Sequence, residues 1–171
     1  MLISVIRISF FGLCGLLSTV NIAAHAGEDV IRHRIANSNF PVAAAVEVPA
    51  SMSIVYLSGK LPPIQDLTQD KNSPLAYGGD TKGQTIGVLK AIEKSLKDIG
   101  LGLGDVIKLQ VFLVGDPALN NEMDMDGFMA AYIQFFGTKT QPNVPARSVL
   151  KIAGLANSAW RVEIEATAVR K

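Results

Sequence analysis

Residues 81 to 114 read TKGQTIGVLKAIEKSLKDIGLGLGDVIKLQVFLV, and along this stretch the spacing of the apolar side chains changes period. Ile86, Leu89, Ile92, Leu96 and Ile99 recur at intervals of three and four, which predicts a helix from Thr81 to Ile99, capped by Asp80 or Thr81 and stopped by Gly100. From Asp105 to Val114 the period falls to two. Ile107, Leu109, Val111 and Leu113 share one face of a predicted strand, and Val106, Lys108, Gln110 and Phe112 share the other. Between them lies Gly100-Leu101-Gly102-Leu103-Gly104. A phosphate-binding glycine loop leaves a strand and opens a helix; this one leaves a helix and opens a strand, so it reads as a helix stop and a tight turn.

Working outward, Ile31 to Ile35, Val42 to Val48 and Ser53 to Gly59 carry the β-branched and aromatic runs of strands, separated by turn residues such as Asn37-Ser38-Asn39. Lys60 to Asp80, with three prolines and two adjacent glycines, predicts a long loop, and such loops often carry function. Met123 to Phe136 predicts a second helix that presents Phe128, Tyr132 and Phe135 to a core and closes at Gly137. The methionines and aromatics of this segment read as core packing rather than a cofactor box. Arg147 to Ile152 and Trp160 to Val169 complete the chain as two strands, expected to pair as a hairpin about a turn at Gly154 to Ser158. The order β-β-β-α-β-α-β-β predicts an α+β two-layer sandwich, a mixed six-stranded sheet with two helices on one face. The other face needs a cover, and another copy of the chain is the expected one.

The first 26 residues are of another kind. Arg7 leads into an apolar run from Ile8 to about Val20, and Ala24-His25-Ala26 forms an A-x-A site, so a signal peptide cleaved after Ala26 is expected, leaving 27–171 as one domain in a periplasmic or secreted protein. An uncleaved anchor fits less well, because Ser9, Ser18, Thr19 and Asn21 interrupt a span barely long enough for a bilayer. Leu13 before Cys14 is too bulky for a lipoprotein site. Without this segment no cysteine remains, which excludes disulfides, thiolate nucleophiles and cysteine-held metals. His33 is then the one histidine, a poor metal ligand or triad member alone and expected as a polar strand residue. Without Arg7 the remaining 15 Lys and Arg balance 15 Asp and Glu, which argues against nucleic acid and for a small ligand.

Two features carry chemistry. Alternation in the last strand places Trp160, Val162, Ile164, Ala166 and Ala168 on one side and Arg161, Glu163, Glu165 and Thr167 on the other. Two glutamates sharing a face are ordinary on a solvated sheet, and as a glycosidase pair they lack an aromatic sugar platform. Arg147 follows Pro145-Ala146 in the neighbouring strand. It is either a surface ion pair or, if it faces a cleft containing Glu163, half of a site that combines a planar cation suited to a carboxylate with a base able to hold water.

Four segments, in this order, give the chain a family resemblance: Val55-Tyr56-Leu57-Ser58-Gly59-Lys60-Leu61-Pro62, Gly104 to Leu113, Pro145-Ala146-Arg147-Ser148 and Val162-Glu163-Ile164-Glu165-Ala166. With these the sequence resembles the RidA (YjgF) family of imine/enamine deaminases over nearly all of residues 27–171. The resemblance implies a chorismate-mutase-like fold assembled as a homotrimer with ligand sites between subunits, and no metal or cofactor. It implies that Arg147 binds a substrate carboxylate, Glu163 activates water, and Ser58 and Gly59 line the same pocket. The implied reaction converts 2-imino acids, or enamines such as 2-aminoacrylate, to 2-keto acids and ammonia. The alternatives are a non-catalytic trimer that holds small carboxylates and a stress holdase or adaptor. The chain also departs from the pattern: Phe40-Pro41-Val42 lacks the family's early tyrosine, Met129 stands at a common asparagine and Val149 at a cysteine, which predicts a less polar pocket.

Overall fold

The computed structural model describes residues 29–171; the expected cleavage site at Ala26 and the residue Cys14 lie outside them. The chain forms β1 (Ile31–Arg34), β2 (Ala43–Glu47), β3 (Ser53–Lys60), α1 (Thr81–Asp98), β4 (Val106–Val114), α2 (Met125–Tyr132), β5 (Ala146–Ile152) and β6 (Val162–Arg170), in the expected order. The expected α+β arrangement is present, with one refinement. The six strands divide into a four-stranded sheet ordered β3-β6-β4-β5 and a separate β1-β2 ribbon. The ribbon joins the larger sheet through the Ala43 N–H, which donates to the Pro145 carbonyl at 3.0 Å just before β5.

The expected β5-β6 hairpin is not formed. β4 lies between the two strands, parallel to β5 and antiparallel to β6. The physical reason is burial: Leu109, Val111 and Leu113 of β4 are wholly buried, which is the environment of an inner strand with neighbours on both edges. β5 is left at the edge of the four-stranded sheet.

Alternation along β6 is as expected, with Val162, Ile164, Ala166 and Ala168 buried and Glu165 exposed. In β4 it needs a correction at one end. The register shifts between Val106 and Lys108, so Val106 joins the buried face while Ile107 turns to the other. A single bulged residue reverses the face of everything on one side of it.

Both helices start as their sequences dictate. The Asp80 carboxylate accepts from the Gly83 N–H at 2.7 Å and the Asp124 carboxylate from the Gly127 N–H at 2.8 Å. Gly100, at φ +76°, ends the first, a conformation few other residues adopt without strain. Val88, Leu89, Ile92 and Leu96 of α1 pack with Phe128 and Tyr132 of α2 against the buried faces of β4 and β6. Phe136, not Phe135, is the third aromatic sealed in this core. α2 ends four residues before Phe136, and the tighter turns that follow rotate it inward. Tyr132 stacks on Phe136 with ring centroids 5.1 Å apart.

The Lys60–Asp80 loop is a packed unit rather than an open one. Tyr77 is buried edge-on against Trp160 and its hydroxyl donates to the Lys71 carbonyl at 2.9 Å. Gln84, wholly buried on α1, donates to the Ala159 carbonyl at 2.9 Å and accepts from the Arg161 N–H at 2.7 Å, which fixes the entry to β6.

Candidate functional site

Arg147 is the second residue of β5 and sits opposite Leu109 of β4. Leu109 faces the core, so the register directs Arg147 to the helix side of the sheet. There its guanidinium carbon lies 4.3 Å from the ring centroid of Tyr132, 5.0 Å from Phe128 and 5.6 Å from Phe40, within cation-π range of all three. Nη2 contacts the Met129 sulfur at 3.3 Å, and Nη1 is buried with no hydrogen-bond partner. Burial pushes the Arg147 pKa below its ordinary value, a shift that Tyr132 partly opposes. A guanidinium keeps its charge in proteins, so this is a buried cation whose surroundings are aromatic rings and a thioether.

The enclosure is held rigidly on one side. The Tyr132 hydroxyl donates to the Pro41 carbonyl at 2.8 Å, tying α2 to the segment that carries Phe40. Burial pushes this phenol up to about 12, with the Arg147 charge pulling the other way. Phe128 and Tyr132 were legible in the sequence only as core residues, and they are that; their second role, as faces for the guanidinium, was not. What sets it is the pairing of β5 with β4, which local spacing does not reveal.

Glu163 lies elsewhere. It pairs with Phe112 between the buried Val162 and Ile164, so it projects from the opposite face of the sheet. Its carboxylate rests over Gly59; a Cβ on that glycine would collide with Glu163 Oε1. The β3-β6 register shifts between Leu57 and Lys60, so Ser58 and Gly59 fall in an irregular stretch of the ladder beside it. Ser58, Glu165, Thr167, Gln110, Lys108 and Tyr56 line an open groove of about 560 Å³ on this same face. Tyr56 is 80% exposed there, and Ile54 and Leu150 add exposed apolar surface.

The structure therefore brings Gly59 and Glu163 into contact, with Ser58 lining the groove on the same face, and sets Arg147 apart from them, through the sheet, within one chain. His33 is at 2.7 Å from Glu47 on the ribbon, remote from both groups in the strand order. Among the described residues no three His, Cys, Asp or Glu side chains gather as metal ligands.

Comparison with known proteins gives a consistent picture. The family described as endoribonuclease L-PSP matches residues 40–170. A RutC family protein of Haemophilus influenzae is 36% identical over 83 residues, which span 48% of this chain and 58% of that protein. Among solved structures, the Rid family protein YyfB of Yersinia pestis superposes with a TM-score of 0.61 at 20% identity, covering 82% of this chain and 98% of its own. Escherichia coli TdcF with bound serine superposes with a TM-score of 0.55 at 29% identity, covering 72% and 85%.

Proposed function

We propose that this chain, which belongs to the endoribonuclease L-PSP (YjgF/RidA) family, hydrolyses reactive 2-imino acids and their enamine tautomers to 2-oxo acids and ammonia. The observation that carries the reading is a buried arginine whose Nη1 has no partner and whose Nη2 has only a thioether. A desolvated cation of this kind is completed by an anion from outside, and a planar guanidinium fits a carboxylate through two parallel charge-assisted bonds. The serine held by TdcF is a small carboxylate, in keeping with such a ligand.

The second half of the chemistry belongs to the other face. Because Glu163 and Arg147 point from opposite sides of one sheet, a site that uses both takes Arg147 from one protomer and Ser58, Gly59 and Glu163 from its neighbour. The exposed apolar side chains Ile54, Tyr56 and Leu150 on the outer face suit a second copy, and a homotrimer closes the arrangement in a ring. Arg147 grips the carboxylate and fixes the neighbouring C=N carbon. Glu163 takes a proton from water as the oxygen adds to that carbon and the C=N π bond opens onto nitrogen. Both protons of that water pass to the nitrogen, one by way of Glu163, the C–N bond breaks as the C=O bond forms, and R–C(=NH)–COO⁻ and H2O give R–C(=O)–COO⁻ and NH3. The signal-like segment before Gly27 supports action outside the cytoplasm.

The test is direct. An amino acid oxidase generates the imino acid, semicarbazide traps it, and the mature protein lowers trapping if the reading is right. Arg147→Ala abolishes the effect. An equal trapping rate with and without wild-type protein overturns the assignment. A stress holdase would instead suppress client aggregation with Arg147→Ala as well as with wild type.

A further inference from the structure

Four groups surround the Arg147 guanidinium, and they are not equivalent. Phe128 and Tyr132 are wholly buried in the core, whereas Phe40 is 46% exposed and Met129 is half-buried. Nη1 is sealed from solvent as well as unpartnered. A carboxylate reaches it by displacing what is able to move, and the two core aromatics are held by packing, with Tyr132 also hydrogen-bonded to Pro41. The movable cover is the half-exposed Phe40 side chain, on a backbone that stays tied through Pro41, and the flexible thioether of Met129. An anion that reaches Nη1 by this route therefore passes the Phe40 ring and the Met129 thioether.

We propose that Phe40 and Met129 are the specificity-determining residues of this site and select 2-imino acids with an apolar substituent over those with a polar or charged one. The inference rests on the deaminase reading for its reaction, but its selectivity is readable by binding alone. Neither side chain offers a strong hydrogen-bond acceptor or donor, so a carboxylate or amide on the substrate would be desolvated without compensation, whereas a branched alkyl group gains contact. The sulfur contact on Nη2 is a weak one that a carboxylate replaces readily.

Calorimetric titration of the mature protein with 2-oxo acids, the stable products, tests this. 4-Methyl-2-oxopentanoate is expected to bind about tenfold more tightly than 2-oxoglutarate, and the trapping assay should rank imines from leucine above those from glutamate in the same order. Met129→Asn, which places a carboxamide beside Nη2, and Phe40→Ser should each shrink that ratio by about fivefold, while Met129→Leu keeps it. A flat ranking in wild type, or a ratio unchanged in both Met129→Asn and Phe40→Ser, overturns the proposal. Selective binding lost in Arg147→Ala but with no turnover by wild type would sink the deaminase reading and leave the selectivity standing.

Discussion

The two faces of the four-stranded sheet hold their functional candidates by different means. On the helix side Arg147 is enclosed: three rings and a sulfur surround it, and a hydrogen bond from Tyr132 to Pro41 ties α2 to the segment that carries Phe40. On the other side Glu163 is set in place mainly by what is missing, the side chain of Gly59, next to an open groove. A buried cation whose Nη1 has no hydrogen-bond partner is held instead by the ring faces packed around it. A half-buried carboxylate keeps some water and tolerates looser support. Position is built into one group, and access into the other.

That contrast is breakable, and the largest effect on turnover with binding retained should come from the open side. Glu163→Gln keeps shape and removes the base, so turnover in the trapping assay is expected to fall by roughly 10² to 10⁴ with 2-oxo acid affinity little changed; full retention of rate would remove Glu163 from the chemistry. The enclosed side should show its cost in stability instead. Phe128→Ala takes out a fully buried ring that packs on both the core and Arg147, and a loss of about 3–5 kcal/mol is expected from urea unfolding. A loss below about 1 kcal/mol would mean that the enclosure is not part of the load the core carries.

Tyr132 gives the comparison a pH axis. Its folded pKa is raised from 10.0 to about 12, so the protonated phenol is favoured by the fold. The stability this contributes is complete below pH 10 and is lost as pH rises from 10 to about 12, a fall of about 2–3 kcal/mol. Tyr132→Phe should abolish that segment of the stability-pH profile, at the cost of about 1 kcal/mol at neutral pH for the bond to Pro41. The smallest effect belongs to the ribbon: the His33–Glu47 pair is solvent-exposed, and Glu47→Gln should change stability by less than about 1 kcal/mol.

What the sequence disclosed follows the range of the forces involved. Helix starts, the stop at Gly100 and the alternation of β6 are local, and period and capping residues reveal them. The neighbour of β5 is not local. Arg147-Ser148-Val149-Leu150 reads equally well beside β6 or beside β4, and only the burial of β4 on both edges decides. The Val106 bulge escaped for a similar reason, since an unbroken alternation is the simplest reading of Asp105 to Val114. The candidate residues were nameable from their motifs, but that Arg147 and Glu163 leave the sheet on opposite sides depends on strand order. In the sequence Phe40 stands out only as the absence of a tyrosine; its ring over Arg147 depends on the folded chain.

The Gln84 carboxamide has a practical corollary. By clasping the main chain at Ala159 and Arg161, it registers the start of β6 from the helix and relieves the preceding turn of that duty. Gly154 in that turn is exposed, with open space where a side chain would go. A fluorophore or short peptide tag grafted there would report on the assembled protein while leaving Glu163 where it stands.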